Sequence, residues 1–191
     1  MLSIGTIATA YNRREISMII QFQKHIDGRS TMRCLRDNGS STYQTESEYF
    51  VKHDLLHVSV ESVLNTKNAF FGLIAQGWDI DWFEIPAPGE TEKRSISAEA
   101  LFVEQLVGLV QLSWYREISL SELSEMITLS EWNLDKLDCL SDNVLFQIDT
   151  TFRKLLEEWE HLTPGSTMEI FFGPNGFELP GSAIASITKQ E

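Results

Sequence analysis

The sequence predicts an α+β fold, an antiparallel β-meander and a C-terminal β-hairpin packed against a helical layer. Three observations lead there. Residues 15–45 read as short strands separated by turn signals. Near Glu48 the apolar period changes from strand-like to helical, and strand signals return only after Thr163-Pro164-Gly165. Strands, then helices, then strands, with no βαβ alternation, segregate the helices to one side of an antiparallel sheet. We read residues 1–191 as a single domain: meander 15–45, helical region 48–162 and hairpin 167–180.

Each element has a local reason. Glu15 to His25 is rich in Ile and Phe and partly alternating, and Asp27-Gly28 is a strong hairpin signal. Ser30 to Leu35 returns as a second strand, Asp37-Asn38-Gly39-Ser40 turns, and Ser41 to Thr45 supplies a third. Phe50, Leu55, Val58 and Leu64 suit a helix from Glu48 to Leu64 with Ser47 as N-cap. Asn68 to Gln76 predicts a short buried helix ended by Gly77, with Gly72 as a helix-packing contact. Trp78 to Phe83 is an aromatic and acidic turn, and Pro86 to Arg94 a loop.

Ser97 caps a helix running to Tyr115, which is either the central core helix or a dimer seam. Ser119-Leu120-Ser121-Glu122 matches a capping box. The longest helix starts at Ser141 or Asp142 and ends near His161, with a stripe of Val144, Ile148, Phe152, Leu155, Leu156 and Trp159. Thr167 to Phe172 and Phe177 to Leu179 flank the turn Gly173-Pro174-Asn175-Gly176, and this hairpin has the meander as a pairing partner.

Composition narrows the function. A formal charge of −13 repels phosphate backbones and anionic membrane surfaces, so neither nucleic acid nor a membrane is an expected partner. No apolar run approaches the ~20 residues needed to span a bilayer. The longest, Ala100 to Leu112, is interrupted by Glu104 and Gln105. The two cysteines, Cys34 and Cys139, lack metal-type spacing and read as reduced thiols of a cytoplasmic protein. Arg29, Arg33 and Arg36 read as partners for the chain's own acids, and Trp78 and Trp82 among Asp79, Asp81 and Glu84 read as a surface turn.

The chemistry concentrates in His53-Asp54-Leu55-Leu56-His57-Val58-Ser59-Val60-Glu61. On a continuous helix, His53, His57 and Glu61 stack on one face. Two imidazoles and a carboxylate form a face suited to a divalent metal such as zinc, with the potential to activate water for hydrolysis. His57 and Glu61 are the leading candidates for catalysis, and His53, His57 and Glu61 for metal ligation. The metalloprotease pattern H-E-x-x-H is absent, since Asp54 follows His53. Positions i and i+8 also lie about 12 Å apart along the axis, so His53 and Glu61 do not readily share one ion. Asp54, Asp79, Asp81, Glu84 and His161 are candidates for completing the set. The competing reading is a non-catalytic interaction or small-ligand-binding module, in which His57 and Glu61 form a buried hydrogen-bond network.

The segment HDLLHVSVESVL through NAFFGLIAQGW resembles an HDLxHxxVE…GFxGLxAxG pattern of a family of uncharacterised bacterial proteins, over residues 53–77. Ala69 stands where that pattern has its first Gly. The resemblance implies a bacterial cytoplasmic origin and supplies neither substrate nor mechanism. The His53-Asp54 doublet also resembles the metal-binding pair of HD-domain phosphohydrolases, but those are all-helical, whereas His25, the upstream histidine, falls at a predicted strand.

Overall fold

A computed structural model of the protein describes residues 17–129 and 140–180. It shows the predicted α+β architecture, a five-stranded antiparallel sheet covered by helices. The meander is β1 (Met18–Lys24), β2 (Arg29–Arg36) and β3 (Ser41–Ser47). Its strands alternate strictly: Met18, Ile20 and Phe22 are buried on one side, while Gln21 and Gln23 lie on the other. That period of two places Ile20 opposite Cys34 on β2, and Cys34 opposite Thr42 on β3. Cys34 is a free, buried thiol; Cys139 and the segment from Trp132 lie outside the described residues.

The chain then turns into α1 (Glu48–Leu64). Ser47 occupies the N-cap position with extended backbone, but its side chain makes no capping hydrogen bond. α2 (Phe70–Ala75) and a single 3₁₀ turn (Ile80–Phe83) follow. Then come α3 (Ala98–Arg116), α4 (Leu120–Leu129) and α5 (Asp142–His161). Ser97 accepts from the Ala100 N–H at 2.9 Å, and Ser119 and Glu122 exchange the reciprocal bonds of a capping box. β4 (Thr167–Gly173) and β5 (Gly176–Glu178) close the sheet in the order β3-β2-β1-β4-β5. β4 pairs antiparallel with β1, so the C-terminal hairpin joins the meander directly.

The helix surrounded by structure is α1 rather than α3. Every residue from Leu55 to Glu61 is buried, because α3, α5 and the sheet all pack against it. α3 buries Phe102, Val103, Leu106 and Val107 but leaves Leu101, Leu112 and Tyr115 half exposed. On α5 the buried stripe uses Leu145 where the sequence pointed to Val144, which is only partly covered. One apolar cluster runs from Met18, Ile20 and Phe22 through Leu55 and Phe71 to Phe152, Trp159 and Ile170. No helix among the described residues is long and apolar enough to cross a membrane.

Two backbone features hold α1 and α2 in register. α2 has Ala69 at its N-cap, which offers no side-chain acceptor. Glu61 supplies one from α1 instead: its carboxylate accepts the Phe71 N–H at 3.2 Å. Gly72 then lets the 65–69 connection cross α2 closely. A Cβ there would lie 2.1 Å from the Lys67 carbonyl oxygen. Gly72 thus serves a close contact with the connecting segment rather than with another helix, and Gly77, at φ +104, follows the α2 C-cap, as its position in the sequence predicts.

Arg36 points inward from the end of β2 and is buried. Its guanidinium donates to the Ile74 carbonyl at 2.7 Å, to the Trp78 carbonyl, and to Asp79 at 3.1 Å. It anchors the loop between α2 and the 3₁₀ turn. Arg29 pairs with Asp27, whereas Arg33 lies over the Tyr43 ring rather than beside an acid.

Candidate metal centre

Because α1 begins at Glu48, His53 lies inside the helix and shares a face with His57. The two imidazoles meet edge to face, with 3.2 Å between their Nε2 atoms. α3 brings a third group to the same point. Glu104 Oε2 is 3.1 Å from His57 Nε2, and Glu104 Oε1 is 4.0 Å from His53 Nε2. His53, His57 and Glu104 are therefore close enough to hold a metal ion, with ligand atoms all within 4.8 Å of one another. Nitrogen and oxygen ligands about 2.1 Å from one ion stand roughly 3–4 Å apart; the contacts at 3.1, 3.2 and 4.0 Å fall in that range, and the set as a whole, spanning up to 4.8 Å, would tighten around an ion.

Glu61 is not at that point. It lies behind His57, fully buried, with Oε1 3.5 Å from His57 Nδ1. The one-turn rise per four residues explains the separation. His57 faces His53 on one side and Glu61 on the other, so Glu61 reaches the nitrogen that points away from the cluster. Gln111 does the same for His53: its Oε1 lies 3.1 Å from His53 Nδ1. An amide oxygen only accepts, so Nδ1 of His53 carries the proton and its Nε2 presents a lone pair. The Glu61 carboxylate stands 3.5 Å behind Nδ1 of His57 without the alignment of a hydrogen bond. With His57 charged, its Nε2–H lies between the Glu104 carboxylate and the His53 Nε2 lone pair, the place a metal ion would take on displacing that proton.

The charge balance shows how strongly this point attracts a cation. Burial opposes protonation of His57, but its contacts with Glu104 and Glu61 outweigh it and push the imidazole up to about 9. His53 moves the opposite way, held down by burial and by the neighbouring His57 charge. The His57 hydrogen bond holds Glu104 below the usual carboxylate range. Burial raises Glu61, against the opposing pull of His57 and the α2 backbone. Burial also raises Asp54, to about 7.

The cluster opens on a cleft of about 660 Å³ between α1, α3 and the 3₁₀ turn. Asp54 and Glu84 line this cleft. Asp79 is taken by Arg36, and His161 bonds the Glu157 carbonyl on α5. His25 bonds Thr31 within the meander. The aromatic-acidic turn is capped from within the chain, since the Arg94 guanidinium lies 4.6 Å from the Trp82 ring centre and 5.4 Å from that of Trp78.

Comparison with protein families, curated proteins and solved structures finds no match for this chain.

Glu104 is the residue that sequence reasoning did not select. Its signal was visible as an acid interrupting the longest apolar run, Ala100 to Leu112. Gln111 gave no such signal, being one polar residue on a helix with many.

Proposed function

We propose that the protein binds a divalent transition metal through His53 Nε2, His57 Nε2 and the Glu104 carboxylate. Glu61 and Gln111 act behind the imidazoles as orienting groups. The observation that carries this reading is the convergence of His53 Nε2, His57 Nε2 and the Glu104 carboxylate within 4.8 Å of one another, with Gln111 hydrogen-bonded behind His53 and the Glu61 carboxylate 3.5 Å behind His57. Acceptors behind ligating histidines fix the tautomer and ring orientation and raise ligand basicity. Two histidines and one carboxylate are a ligand set that zinc shares with non-haem iron. Three protein ligands leave coordination positions open to the cleft, and water activated there gives the site hydrolytic potential. We place this activity in a cytoplasmic bacterial protein.

The second reading is a structural network in which a proton replaces the ion. It is favoured by His57, which lies 4% exposed between Glu61 and Glu104. Elemental analysis and calorimetric titration of zinc and manganese into tag-free protein separate the two. The metal reading expects one ion per chain, lost in His57→Ala and weakened at least tenfold in Glu104→Gln. Absence of binding by the folded wild-type protein would leave the network reading standing.

A further inference from the structure

The cleft beside His53, His57 and Glu104 is built from two kinds of group. Besides Glu104 from α3, carboxylates enter it from three more places: Glu46 from β3, Asp54 from α1 and Glu84 after the 3₁₀ turn. Aromatic rings form the apolar wall, with Phe70 and Phe83 in contact at 4.8 Å between centres and Phe50 at the rim. No lysine or arginine is among the residues lining the cleft. Of Glu46, Asp54 and Glu84, two have partners: Glu46 accepts from Gln44, and Glu84 lies 3.7 Å from Lys93 at the surface. Asp54 is partly exposed and makes no hydrogen bond or ion pair among the described residues, the His57 charge acting on it without direct contact.

A cavity of this size matches small-molecule sites, which run from roughly 300 to 1,000 Å³. Its wall chemistry excludes an anion. A phosphate or carboxylate would meet four carboxylates against a single compensating charge, the His57 imidazolium or a metal that replaces its proton. A cation on an apolar body meets a carboxylate for its charge and ring faces for its body. The neighbouring turn shows the same pairing already satisfied, with the Arg94 guanidinium seated over Trp78 and Trp82. Inside the cleft Phe70 meets the His57 ring at 5.2 Å and Phe83 that of Trp78 at 5.2 Å, and among the described residues no lysine or arginine is seated over Phe70 and Phe83 or paired with Asp54.

We propose that this cleft binds a small organic cation, a primary amine or guanidinium carried on an apolar or aromatic body, with its charged end at Asp54 and its body against Phe70 and Phe83. The reaction of such a ligand rests on the metal reading, because the open coordination positions face the same space. Its binding rests on the cleft walls alone.

Phenethylammonium, 2-phenylethanol and 3-phenylpropanoate make a cation, neutral and anion series of similar size. Titrated into the full chain, metal-loaded and after chelator treatment, and followed by amide chemical shifts, they test charge selection directly. The expected result is binding of phenethylammonium at least tenfold tighter than the alcohol, with no saturable binding of the propanoate. Asp54→Asn should lower the preference for the amine over the alcohol about tenfold, and Glu46→Gln should lower it less. Equal binding of amine and alcohol, preference for the anion, or no saturable shift from any of the three would overturn the proposal. Metal content measured on the same samples separates the two ideas. Amine binding in a protein that takes no metal keeps this inference and removes the metal reading; metal uptake without amine selection does the reverse.

Discussion

Metal uptake should release one proton per ion at pH 7, and the number follows from the three ligands taken one at a time. Glu104, held below the usual carboxylate range by His57, is already ionised and releases nothing. His53, pushed below 6.5 by burial and by its neighbour, is already neutral. His57, raised to about 9, carries a proton that a metal must displace from Nε2. With an imidazole of that acidity, about one molecule in a hundred presents a free Nε2 lone pair at pH 7. The apparent affinity should therefore rise tenfold per pH unit between pH 6.5 and 8, about 1.4 kcal/mol per unit, and level off near pH 9. The assay is manganese titration by calorimetry in two buffers of different protonation enthalpy, manganese being chosen because its bound water stays protonated in this range. The difference in apparent enthalpy gives the proton count. A count near two would mean that both imidazoles are charged in the metal-free protein. A count near zero would mean that Glu61 and Glu104 do not hold a proton on His57, and the electrostatic account of the cluster would fail.

Other consequences can be tested without metal. His57 is raised on folding, so its stabilisation is complete below pH 6.5 and is lost as pH rises through about 9; chelator-treated protein should show a falling urea midpoint across that window, and His57→Gln should flatten it. Asp54 is raised from 3.8 to about 7, so ionising it costs stability increasingly as pH rises through that range. Asp54→Asn should be neutral at pH 4 and more stable than wild type at pH 8, and a loss at pH 8 would mean that the carboxylate has a partner. Gly72→Ala should destabilise by about 3 kcal/mol or more, since a Cβ at 2.1 Å from the Lys67 oxygen forces the backbone apart; a change below about 1 kcal/mol in urea unfolding would show that the crossing yields. Glu61→Ala leaves the Phe71 N–H without its acceptor inside the core and should cost about 2–4 kcal/mol, with Glu61→Gln costing less because one oxygen remains.

The order of elements was legible because each has a local cause. Asp27-Gly28 and the 173–176 turn set the two hairpins, Ser97 and the Ser119–Glu122 box opened their helices, and Glu48 marked the change of period. The cap of α2 was not legible, because its acceptor comes from Glu61 on another helix. The site divides in the same way. His53 and His57 share a face by helical spacing, so the sequence displays their meeting. Glu104 and Gln111 join them only because α3 packs across α1, and no spacing in the chain encodes a helix crossing. Glu61 was read on the correct helix face but reaches the far nitrogen of His57, a distinction that turns on which edge of an imidazole faces which neighbour.

The position of β1 has a consequence for how the protein is made. β1 is the middle strand of the sheet, yet its second neighbour, β4, is synthesised after all five helices. While the ribosome completes α1 to α5, one edge of β1 has no partner, and Met18, Ile20 and Phe22 wait on a sheet that stops there. Unpaired apolar strand edges are templates for association with other chains. His53, His57 and Glu104 all emerge before β4, so an ion could gather α1 and α3 around itself while the sheet is still open. If the site takes a metal, its supply during translation, rather than after it, would bear on how α1 and α3 come together.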